Sequence, residues 1–123
     1  MDIRIKATDY ELTPQVEEYL AQRIDALRKF VGDKADVTRC EVELGRDAGR
    51  QRHGDNLYFA EIRIISPGEA SVYARNNSES VNGAIDDVKE EVERQLRKSK
   101  RVNMSFMRKG GALAKRLMWW GRG

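Results

Sequence analysis

The residues best spaced to do chemistry lie near the end of the chain, in "VKEEVERQLRKSKR", Val88 to Arg101. Arg94, Arg97, Lys98 and Arg101 stand at i, i+3, i+4 and i+7. On a helix, at roughly 100° per residue, they collect on the side away from Val88, Val92 and Leu96. Such a stripe suits a row of phosphates. Guanidinium groups hold phosphate oxygens in bidentate pairs, and each neutralised phosphate releases counterions, so affinity falls steeply with salt.

A purely local account of the stretch stands beside this one. Acids early and bases late complement a helix dipole, at about 0.3–1 kcal/mol for each well-placed charge. Glu90–Arg94 and Glu93–Arg97 also form i,i+4 pairs. Neither effect needs the bases focused on one stripe or continued past the helix. Yet they continue, at Arg108, Lys109, Lys115, Arg116 and Arg122. All 20 acidic residues precede residue 97, whereas nine of the 23 Lys and Arg follow residue 96. An acidic body with a basic arm points to a polyanion, either nucleic acid or an acidic membrane surface.

Other chemistries find little material. His53 is the only histidine and sits in a polar stretch; Cys40 is the only cysteine and sits in an apolar alternation. A Cys/His nucleophile pair, an intrachain disulfide and a thiolate zinc site are therefore not expected. "RKGGALAK" lacks the spacing of a phosphate-binding P-loop. Asp86/Asp87 and Glu90/Glu91 are adjacent pairs that diverge on a helix, and read as a solvated face rather than a metal site. No cofactor is expected. "MDIRIKATDY" is short and charged, unlike a signal region, and no apolar run approaches a membrane span. The expected location is the cytoplasm.

The elements that must position the stripe follow from periodicity. At 123 residues and 40% hydrophobic content the chain supports one small core. "DIRIKA" alternates, with Ile3, Ile5 and Ala7 on one face, and predicts a strand. Thr13 can cap a helix that has Pro14 at its first position. Val16, Leu20, Ile24, Leu27 and Val31 carry that helix over about 14–30, and Gly32 ends it. "VTRCEVEL" predicts a second strand with Cys40, Val42 and Leu44 inward. "GRDAGRQRHGDN" reads as a loop. "LYFAEIRII" predicts a third strand, with Tyr58, Ala60, Ile62 and Ile64 on one face. "SPGE" predicts a type II turn, since Pro67 presets φ and Gly68 accepts the positive φ required next. "ASVYAR" predicts a fourth strand, with Ala70, Val72 and Ala74 inward. Ser78 or Asn77 can then cap a long helix, about 79–100, whose stripe is Val81, Ile85, Val88, Val92 and Leu96. Gly83 weakens it by up to ~1 kcal/mol relative to Ala; a close helix–sheet approach is one reason for a glycine there. The economical packing is one sheet with both helices on one face.

A family resemblance adds to this. "AEIRIISPGEASVYARNNSESVNGAIDDVKEEVERQLRKSK" resembles the bacterial ribosome hibernation-promoting factors, a family that includes the ribosome-associated inhibitor and was once labelled a sigma-factor modulation family. The carrying features are "ISPG" between two strands, "SES" before the last helix, "AID" within it and "ERQLRK" near its end. "IRIKATDYELTPQVEEYLAQRI" is similar to the family's first strand and helix. The likeness covers about residues 2–100.

The resemblance implies an α+β fold, β-α-β-β-β-α, similar to double-stranded RNA-binding domains with an extra first strand. It implies binding to ribosomal RNA of the small subunit, in the channel for messenger RNA and transfer RNA. Translation is then blocked sterically in starved cells, with no reaction catalysed. The matched basic positions are Arg23 and Lys29 on the first helix and Arg94 and Lys98 on the second. Arg97 and Arg101 join them from the stripe. Lys6, outward on the first strand, is a further candidate, and a solvated edge charge is its alternative reading.

The expected organisation is a binding domain, 1–101, and a basic, Trp-containing tail, 102–123. The tail is unlike the family. Its "ALAKRLMWW" suits RNA, since indoles stack on bases, or a fold-back onto the domain; an interfacial membrane anchor is a weaker fit. The chain also ends too early for the C-terminal module of long family members. The loop 45–56 is longer and more basic than in the shortest ones, with Arg46, Arg50 and Arg52. A general double-stranded RNA-binding module without ribosome preference, and a membrane or protein adaptor acting through the tail, are the competing functions.

Overall fold

A computed structural model describes residues 1–47 and 57–99. Arg50, Arg52, His53, Arg101 and the tail 102–123 lie outside the described residues.

Four strands form one sheet in the order β1-β2-β3-β4: β1 Asp2–Thr8, β2 Arg39–Arg46, β3 Tyr58–Ile65 and β4 Val72–Ser78. β1 pairs with β2 in parallel, and the other two ladders are antiparallel. The parallel pair is joined by a crossover that holds helix α1, Pro14–Asp25, and a one-turn helix α2, Arg28–Val31. Helix α3 spans 81–99 and follows β4. The element order and the single four-stranded sheet are as expected; the parallel β1–β2 pair is read from the structure.

One core joins the inner sheet face to both long helices. Cys40, Val42, Leu44, Ala60, Ile62, Ile64 and Ala74 meet Leu20, Ile24 and Leu27 from the crossover and Val81, Ala84, Ile85, Val88 and Val92 from α3. Both helices therefore cover one face. Charged side chains dominate the other face, with Arg4 and Lys6 on β1, Glu41 and Glu43 on β2, and Glu61 and Arg63 on β3. The edge strand is covered less than its alternation suggests. Ile3 is 37% exposed and Ala7 is exposed, while Ile5 is half-buried. An edge strand has a neighbour on one side only.

Several boundaries move for identifiable reasons. The first helix stops at Asp25, not near residue 30; the Ala26 and Leu27 amides donate to Gln22 and Ile24 carbonyls as the chain turns. Gly32, at φ 66, does close α2, but the chain continues as a 3-10 segment to Val37. Thr13 caps α1 as expected, its Oγ1 accepting from the Val16 amide at 3.2 Å. For α3 the cap is Ser80, whose Oγ accepts from the Gly83 amide at 3.0 Å; Ser78 and Asn77 are still strand residues. Ala70 is exposed and precedes β4.

The turn between β3 and β4 has the anticipated form. Gly68 takes φ 77, and the Glu69 amide donates to the Ser66 carbonyl at 3.2 Å.

Two glycines have steric causes. A Cβ on Gly45 would collide with the Thr8 carbonyl oxygen and lie 2.8 Å from Phe59 Cε1. Gly45 and Arg46 thus belong to β2, not to the loop. At Gly83 a Cβ would lie 2.5 Å from Ser78 Oγ and 3.0 Å from Ser80 Oγ. The helix start sits tightly on the end of β4, a local form of the close approach anticipated there.

Candidate nucleic-acid interface

The candidate interface is built where the crossover helices meet α3. Burial of Leu20 and Ile24 on one side and Val88 and Val92 on the other fixes the two helices against the same sheet. Their polar flanks then face each other, and two side-chain clusters bridge them.

The first cluster centres on Asp86. Tyr19 Oη donates to Asp86 Oδ1 at 2.5 Å, and Arg23 Nη2 donates to Tyr19 Oη at 3.0 Å. Arg23 Nε also stands 3.2 Å from Asp86 Oδ1. Tyr19 and Asp86, above all the phenol's hydrogen bond, raise the Arg23 pKa. Asp86 is therefore not merely solvated, as its sequence context suggests. It is an acceptor shared by two α1 side chains.

The second cluster lies further along α3. Glu93 accepts from Lys89 Nζ at 2.8 Å and from Arg97 Nη2 at 2.6 Å. The hydrogen bond from Lys89 is the largest cause holding the Glu93 carboxyl below the usual range; the charges of Lys89, Arg97 and Lys29 act in the same sense. The Phe30 ring receives Lys29 Nζ at 5.2 Å and Arg97 Cζ at 5.5 Å from its centroid. Both distances are within cation–π range. One aromatic ring on α2 thus collects a cation from each helical segment.

The structure brings Lys29 and Arg97 together. It places Arg23 on the same inter-helix seam but in the Asp86 network. Arg94 and Lys98 are exposed on a different flank of α3 from Glu93. Arg94 pairs with Glu91, an i,i+3 partner, rather than with Glu90; the Glu93–Arg97 pair is as the spacing suggests. The stripe is therefore broader than a single row. Lys6 lies apart, on the outer sheet face beside Glu43 of β2. No ion pair engages Lys6, Lys29 or Lys98 among the described residues. Arg46, at the end of β2, has its guanidinium 6.0 Å from the Tyr58 ring centroid, and Tyr58 meets Tyr10 edge-on at 6.1 Å.

Phe30, Tyr19 and Glu93 were not legible as site residues. Phe30 carries no periodic signal, being the residue between Lys29 and the apolar Val31. The Tyr19–Arg23 spacing of four was available, but its partner Asp86 is 67 residues from Tyr19.

The setting of Cys40 does not suit a nucleophile. The thiol is fully buried, and burial pushes its pKa up from 9.0 to about 12. Among the described residues no group of three or more His, Cys, Asp or Glu is placed to hold a metal ion. Nor is any helix among them long and apolar enough to cross a membrane.

The site is thus a seam of cationic side chains between helices on one side of a mixed α+β sheet. The model of the family "Sigma 54 modulation protein / S30EA ribosomal protein" matches residues 3–103, and the chain belongs to that family. Two solved structures share the fold. The Thermus thermophilus Protein Y N-terminal domain aligns with a TM-score of 0.64 at 19% identity, covering 80% of this chain and 98% of that one. A ribosomal subunit interface protein from Coxiella burnetii aligns with a TM-score of 0.64 at 15% identity, covering 82% and 99%. No curated protein matches the sequence.

Proposed function

We propose that this chain is a cytoplasmic, ribosome-associated inhibitor that binds small-subunit ribosomal RNA in the messenger and transfer RNA channel. It acts by occupancy, not catalysis, and shuts translation during stress or stationary phase. Residues 1–101 form the binding domain, and 102–123 form a separate basic tail. The observation that carries the reading is the family match over residues 3–103. The cationic seam between α2 and the second half of α3 supplies the physical means.

Arg94, Arg97, Lys98, Arg101 and Lys29 face the RNA in this reading. Arg23 contributes from the same seam while bridging to Asp86, and Lys6 is a peripheral contact. Acids dominate α3 up to Glu93, at Asp86, Asp87, Glu90, Glu91 and Glu93, and only bases follow, so a phosphate backbone is favoured toward its C-terminal end. That is the physical content of the acid-to-base inversion along this helix.

The test is a variant with Arg94, Arg97, Lys98 and Arg101 all changed to Glu. Circular dichroism should remain that of the parent. Binding to isolated small subunits should be abolished; parent-like affinity would remove the basis of the interface.

A further inference from the structure

Glu93 is anomalous in a surface meant for an anion. Its carboxylate lies in the middle of the cationic cluster and is only 16% exposed. Lys89 and Arg97 both bond to it, at 2.8 and 2.6 Å. Arg97 also reaches Phe30, the ring that receives Lys29 from the other helical segment. Three cations from two elements thus gather around one carboxylate and one ring. An ordinary i,i+4 surface pair involves two side chains and is worth little. A carboxylate held by two cationic donors occupies the position that a phosphate oxygen would take with the same donors.

We propose that Glu93 is an internal counter-ion that fills this phosphate position in the free protein and is displaced by an RNA phosphate on binding. The proposal rests on the RNA-binding reading above and adds a residue that limits affinity. Phe30 is the positioning residue: it keeps Lys29 and Arg97 at the same place when the carboxylate swings out. The arrangement favours specificity. Random polyanion must compete with Glu93 at every encounter, whereas a surface that also engages Arg94 and Lys98 offsets the competition. Lys29, Lys89 and Arg97 also keep their geometry without a bound ligand, so less ordering is needed on binding.

The experiment compares the full chain with Glu93→Gln and Glu90→Gln. Both substitutions remove one negative charge from α3, but Glu90 makes no hydrogen bond or ion pair with Lys29, Lys89 or Arg97, its charge being felt at Arg23 instead. Binding to a 16-base-pair RNA duplex and to isolated small subunits is measured over a salt series. Glu93→Gln should bind the duplex several-fold more tightly than Glu90→Gln. The gain should appear in affinity alone, with the salt dependence of the two Gln variants alike, because the displaced carboxylate leaves the same phosphate bound in either. Phe30→Leu combined with Glu93→Gln should lose most of that gain, with circular dichroism unchanged.

Equal affinity of the two Gln variants would overturn the proposal. So would weaker binding by Glu93→Gln, which would make the carboxylate an organiser of the cations rather than their competitor. Absence of duplex binding by every variant would overturn it as well. Duplex binding that follows the expected order, with no binding to small subunits, would instead refute the ribosome reading and leave the counter-ion intact.

Discussion

At the scale of single residues, the strongest constraints are steric and sit away from the interface. Gly45 lies on the outer sheet face under the Phe59 ring, which is itself roofed by the Arg75 guanidinium 4.0 Å from its centroid. Arg75 is in turn held by Glu61 at 3.5 Å. A methyl group at Gly45 must displace the β1 backbone at Thr8 and the ring as well. Gly45→Ala should therefore cost about 1–3 kcal/mol, the range for overpacking a tight site, read as a lower urea midpoint with an unchanged slope. A neutral outcome would mean that the β1 backbone and the ring both yield at little cost. This residue also shows a limit of reading from sequence. Gly45 begins a polar, glycine-rich run and so reads as loop, because nothing local announces that Thr8 and Phe59 close around it. Thr13, Pro14, Pro67 and Gly68 were legible because caps and tight turns are settled by neighbours within four residues.

At the scale of elements, periodicity carried the fold. Inward alternation in β2 and β3 and the apolar stripe of α3 were all correct, since each reports one face against a core. Helix ends were less legible. The change from α1 to α2 depends on how Leu27 is drawn into the core, which no local pattern states. The seam between the helices was legible only on its cationic side. Arg23, Lys29 and Arg97 could be named, but Tyr19–Asp86 and Phe30–Arg97 are contacts between distant segments. The Tyr19–Arg23–Asp86 network should show coupling in a double-mutant cycle. With Arg23 and Asp86 each 44% exposed, we expect about 0.5–1 kcal/mol between Tyr19→Phe and Asp86→Asn, near the upper end for solvated pairs. Strictly additive losses would mean that the network does not tie α1 to α3.

At the scale of the whole molecule, charge and core are segregated along the chain. The described core runs from Leu20 to Val92, so no core contact among the described residues depends on the tail. Removing 102–123 should leave a cooperative thermal transition at a similar midpoint. Its loss would show that the tail is part of the folded domain. In the proposed reading the described domain supplies shape and a focused group of cations, and the basic residues that follow it in the sequence add positive charge. Shape should distinguish a ribosomal site from a generic duplex, because electrostatic attraction alone treats all phosphate backbones alike.

The most direct test of that claim is sedimentation of the purified full-length chain with isolated ribosomal subunits, at low and moderate salt, with excess duplex RNA as competitor. Stoichiometric co-migration with the small subunit that survives the competitor is expected. Failure to co-migrate, or complete removal by duplex RNA, would contradict it and leave a general RNA-binding module on the same fold.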